Sequence, residues 1–143
     1  MIRGLDHVGI VVADLAAAEQ FLTETLGLVA GQRLSLPAQD TEVVFYDCGG
    51  VQLELVEVRD PDLRAKRLGP EGTTARIEHL ALRVEGLDDV AKVLRERGVA
   101  LTAGAASSAE TTEPLEVEGT RSLFTRPDSA TGLLVQLIER LDA

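Results

Sequence analysis

The chain has 143 residues, 45% of them hydrophobic, and a formal net charge of −10. That length fits one compact domain or two small modules, and the composition supplies a core without any low-complexity tract. The acidity opposes general binding to nucleic acid or to an anionic membrane surface. A single cysteine, Cys48, excludes an internal disulfide and fits a reducing compartment. The N-terminus lacks the apolar core of a signal peptide and no run reaches membrane-spanning length, so the expectation is a soluble, cytoplasmic protein.

Residues 5–12 alternate and are rich in Val and Ile, which predicts a half-buried strand. Asp14 is a good N-cap for a helix whose apolar stripe is Leu15, Ala18, Phe21, Leu22 and Leu26, with Gly27 at its stop. A strand over 28–36 closes at Pro37. Two more follow, Glu42 to Cys48 and Val51 to Val58, joined by a Gly49-Gly50 hairpin turn. The order is β-α-β-β-β. Residues 59–76 read as a connector with a short helix carrying Arg59, Arg64, Lys66 and Arg67. These cations are either a solvated helix face or a site for an anionic tail such as a nucleotide phosphate.

The second half repeats the first. A strand at 78–84, a helix at 87–97 and a strand at 99–102 lead to a loop over 103–120, whose length suggests a lid or rim. Strands at Ser122 to Arg126 and Leu133 to Glu139 then pair across the turn Pro127 to Gly132. The chain therefore predicts an α+β fold: one domain over 1–143, with module one at 1–58, the connector at 59–76 and module two at 77–143. Two tandem βαβββ modules would form a curved mixed sheet around one cleft.

Both histidines of the chain fall at matching points of this repeat, in Asp6-His7-Val8 and Glu78-His79-Leu80. Strand alternation puts His7 on a face with Gly9 and Val11, and His79 on a face with Ala81 and Arg83. The bulky aliphatics face the other way, toward the helices. Glu54 lies mid-strand between Leu53 and Leu55, and Gln136 lies between Val135 and Leu137. Polar groups placed so are expensive to bury unless something binds them. Two imidazoles, one carboxylate and one amide oxygen suit Zn, Co, Mn, Ni or Fe(II). With one carboxylate, a divalent ion keeps a net charge of about +1 and remains a Lewis acid.

The β-α-β-β-β duplication with Asp6-His7-Val8, Glu54-Leu55-Val56, Glu78-His79 and Leu134-Val135-Gln136-Leu137 resembles the vicinal oxygen chelate superfamily. That group includes glyoxalase I, extradiol dioxygenases, fosfomycin and bleomycin resistance proteins, and methylmalonyl-CoA epimerase. The epimerase family is most similar, through Leu5 to Leu15, Leu53 to Glu57, Arg83 to Val99, Gly119-Thr120-Arg121 and Gly132 to Val135. The resemblance implies that His7, Glu54, His79 and Gln136 are metal ligands. It implies a metal-dependent epimerase of a malonyl-type acyl-CoA, working through a stabilised enolate, and a homodimer. Epimerisation normally asks for two bases. Glu54 is one candidate and Glu42, on the adjacent strand, the second, while basic connector residues would hold the CoA phosphates. Two positions depart from the epimerase pattern: Gln136 stands where that enzyme usually has glutamate, and Arg126-Pro127-Asp128 replaces its usual His-Pro-Lys. The alternatives are a glyoxalase I-like lyase of a glutathione adduct, an extradiol dioxygenase, or a metal-free small-molecule binding protein of the same superfamily. Gln136, where a dioxygenase usually has its carboxylate ligand, and few aromatic residues argue against the dioxygenase, and a complete ligand set with few aromatics argues against the metal-free protein.

Overall fold

The computed structural model describes residues 1–141; the last two residues of the predicted second module lie outside the described residues. The chain is α+β, with a mixed set of strands and three α-helices among the described residues. It divides into two compact units. The first is His7–Glu78, and the second joins Met1–Asp6 to His79–Ala143. Both division points fall inside a strand, immediately before a histidine.

In the first unit, β1 (Ile2–Val12) leads to α1 (Leu15–Gln20), whose Asp14 cap accepts from the Ala17 amide. The helix widens into one π-type turn, Phe21–Thr25, and Gly27 follows with a positive φ of 75°. That φ is the left-handed stop the sequence predicts. β2 (Ala30–Leu36), β3 (Thr41–Cys48) and β4 (Val51–Val58) complete the unit's strands in the order β2-β3-β4-β1. β4 runs parallel to β1 and antiparallel to β3. Val12, Leu15, Leu22, Val44, Tyr46 and Leu55 form a core between α1 and one sheet face. On the opposite face Val11, Val43 and Val56 meet Leu68 of α2 (Pro61–Leu68), the connector helix.

The second unit uses the same wiring. β5 (Ala75–Val84) crosses into it and leads to α3 (Leu87–Glu96), β6 (Leu101–Thr102), β8 (Thr120–Thr125) and β9 (Val135–Arg140). Their order is β5-β9-β8-β6, with β9 parallel to β5 and antiparallel to β8. This repeats the first unit strand for strand. The start of β1, Ile2–Asp6, lies beside β5. α3 packs Leu87, Val90 and Ala91 on Val84, Leu101, Leu123 and Leu137. Within the stretch expected to be a plain loop, β7 (Leu115–Val117) pairs with β8. No helix is long and apolar enough to cross a membrane among the described residues.

Candidate metal centre

Each unit carries one half of the predicted ligand set. In the first, His7 is 2% exposed. Parallel pairing sets Gly9 beside Glu54, so the small residue leaves room above the strand where the carboxylate stands. His7 Nε2 and Glu54 Oε1 are 3.5 Å apart. Phe45 sits opposite Glu54 on β3 and meets the His7 ring edge-on, with centroids 5.5 Å apart and planes at 82°.

The second unit repeats the arrangement. His79 is 5% exposed, Ala81 stands beside Gln136, and Phe124 of β8 lies opposite Gln136. Phe124 meets His79 edge-on at 5.6 Å and 80°. One small residue, one phenylalanine and one oxygen donor thus flank each imidazole at equivalent registers. Such edge-on aromatic contacts fix ring orientation and exclude water from one side of the imidazole.

The donor chemistry fits a borderline divalent ion. Zinc-type bonds to imidazole nitrogen and carboxylate oxygen are about 2.0–2.2 Å long, so neighbouring ligands stand about 3.0–3.5 Å apart. The separation of His7 Nε2 from Glu54 Oε1 is in that range. Gln136, half-buried, offers an amide oxygen at the place equivalent to Glu54.

The acids that precede the histidines are structural. Asp6 receives two bonds from the Arg140 guanidinium, both 2.9 Å. Glu78 receives two from Arg67 on α2, at 2.8 and 2.7 Å. Each bidentate clamp fixes the strand one residue before the imidazole. A further pair ties strand to helix. Glu57, three residues past Glu54, accepts from the Leu15 amide at 2.6 Å. Glu139, three past Gln136, accepts from Gly86 and Leu87 at 2.8 and 3.0 Å. Sequence reasoning missed these clamps and caps, although the shared three-residue spacing was visible.

One expectation is corrected. Glu42 is not a second base beside Glu54. It pairs with Glu57 across the hairpin, whereas Phe45 pairs with Glu54, so Glu42 lies on the other face of β3. Its carboxylate is held by Arg59 and by the Ser35 hydroxyl. The Arg59 bond, helped by Ser35, lowers its pKa and makes it a weaker base still. The connector cations are also largely engaged. Arg59 pairs with Glu42, Arg64 donates to the Val58 and Arg59 carbonyls, and Arg67 clamps Glu78.

A family profile described as the glyoxalase/bleomycin resistance protein/dioxygenase superfamily matches residues 6–113. Among curated proteins, the mitochondrial methylmalonyl-CoA epimerase of Bos taurus is 24% identical, over 93% of this chain and 72% of its own length. An uncharacterised Bacillus subtilis protein, YqjC, is 27% identical, over 94% of this chain and 91% of its own. Among solved structures, the methylmalonyl-CoA epimerase of Mycobacterium tuberculosis superimposes with a TM-score of 0.83 at 28% identity. That superposition covers 99% of this chain and 90% of that one.

Proposed function

Since this chain belongs to the glyoxalase/bleomycin resistance protein/dioxygenase superfamily, we propose that it is a divalent-metal-dependent epimerase of a malonyl-type acyl-CoA. The observation that carries the reading is the repeated half-site: a buried histidine with an oxygen donor at the same register in each unit. In this reading His7, Glu54, His79 and Gln136 hold one ion. The methylmalonyl-CoA epimerases of cattle and of Mycobacterium tuberculosis supply the substrate class. When bound, the ion supplies Lewis acidity, which lowers the cost of negative charge on a carbonyl oxygen of the substrate as the α-proton leaves.

The chain's own residues do the rest. Glu54 stands against His7 and takes the α-proton from one face of the α-carbon, and solvent water returns a proton to the opposite face, which completes the inversion. Phe45 and Phe124 shield the imidazoles from water and hold their planes. Gln136 gives oxygen without charge, so the ligand set carries a single negative charge and more of the metal's acidity remains for the substrate.

A second reading gains from the placement of Glu42. With that carboxylate on the other face, one base serves the site, and one base suffices for a proton shift between adjacent carbons on the same side of a substrate. That is the chemistry of a glyoxalase I-like lyase acting on a glutathione hemithioacetal. Metal-replete protein in deuterated buffer separates the two. Incorporation of deuterium at the α-carbon of methylmalonyl-CoA supports the epimerase. Absence of exchange, with turnover of the hemithioacetal, replaces it with the lyase.

A further inference from the structure

The connector leaves few cations to meet a phosphate, yet the second unit places on its sheet an arginine that its own fold does not use. Arg83, on β5, makes no ion pair or hydrogen bond among the described residues. Its guanidinium lies beside the backbone of Gly4, 4.0 Å from where a Cβ would stand. It lines a cavity of about 630 Å³ together with Arg3, Val84, Glu85 and Arg140. Arg3 is matched by Glu85 at 2.6 Å, and Arg140 by Asp6. The charge on Arg83 is matched by neither acid, so the cavity carries a net positive charge in a chain of net charge −10.

That volume is in the range of small-molecule sites, about 300–1,000 Å³. The lining differs from an ordinary apolar pocket: Val84 is its one aliphatic residue, so an acyl group gains little there. Planar guanidinium groups instead recognise oxyanions through paired hydrogen bonds. Position supplies the link to the metal half-site. Arg83 is four residues beyond His79 on the same strand and face, which places it about 13 Å away at about 3.3 Å per residue. An extended ligand can have its reacting end at His79 and an anionic end at Arg83.

We propose that the cavity around Arg83 is an oxyanion subsite for the phosphate-bearing nucleotide end of the acyl-CoA. It extends the functional reading above and depends on it only for the ligand's identity. Adenosine 3′,5′-bisphosphate is the probe, titrated calorimetrically into metal-loaded protein, with adenosine as control. The bisphosphate binds once per chain and adenosine does not. Arg83→Glu weakens binding by about tenfold or more, the loss expected for a charge-assisted hydrogen bond. Arg83→Gln, which introduces no new charge, weakens it less while circular dichroism stays unchanged. Wild-type affinity in both folded variants, or no binding to wild type, overturns the proposal. The probe has no acyl group. Probe binding without α-proton exchange therefore refutes the epimerase alone, and exchange without probe binding refutes the subsite alone.

Discussion

Beside the histidine of the first unit stands Glu54; at the same register in the second unit stands Gln136. The surrounding parts match: phenylalanine edge-on to the imidazole, a small residue beside the oxygen donor, and an acid three residues on that caps the helix. What differs is one charge. In the proposed site, the two units share the contacts that would orient a ligand, and they differ at the position that would set the charge of the ligand set. A duplicated fold can thus tune Lewis acidity by changing one side chain while its supporting contacts stay fixed.

The clamps that hold the two strands are similar in kind and unequal in burial, and this inequality gives the largest expected effect. The Arg67 and Glu78 side chains are 11% and 4% exposed, whereas Arg140, which clamps Asp6, is 39% exposed. Arg67→Ala removes one partner of a buried pair and costs about 3–5 kcal/mol of stability. Arg140→Ala costs about 2 kcal/mol, because water reaches part of that pair. Urea midpoints measured side by side check the order, and equal losses would break the distinction.

Converting the second half-site into a copy of the first comes next. Gln136→Glu retains metal and adds a second negative charge to the ligand set, so α-proton exchange slows by about tenfold. Faster exchange would mean that the chemistry needs a base at this position.

The smallest effect concerns the carboxylate that faces away. The Arg59 bond and Ser35 lower the folded-state pKa of Glu42, so its contribution to stability is present above the unfolded carboxylate pKa. That contribution is lost as pH falls through the lower folded value. Glu42→Gln therefore flattens the acid limb of the stability profile and leaves exchange activity unchanged. A pH–stability series on the two proteins measures the first, and loss of exchange activity would restore Glu42 to the site.

Much of this was legible because alternation fixes facing within a strand. His7, Glu54, His79 and Gln136 were read from single strands, where side chains two apart share a face. Glu42 departs from its expected place because facing between strands depends on register. The Gly49-Gly50 turn pairs Cys48 with Val51, and counting back from there sets Glu42 against Glu57. The partners of Arg59, Arg64 and Arg67 were not legible, since each is set by tertiary contacts or by the geometry of a loop. Nor was β7, a three-residue strand that exists through its pairing with β8.

The central claim is that two equivalent half-sites hold one ion, and metal stoichiometry tests it directly. Protein purified without a His-tag, loaded with zinc or cobalt and passed through a desalting column, is assayed by inductively coupled plasma mass spectrometry. The account predicts one ion per chain in wild type and near none in either His7→Ala or His79→Ala, because each half-site alone offers too few ligands. Two ions per chain, or full occupancy retained in both single variants, would contradict it.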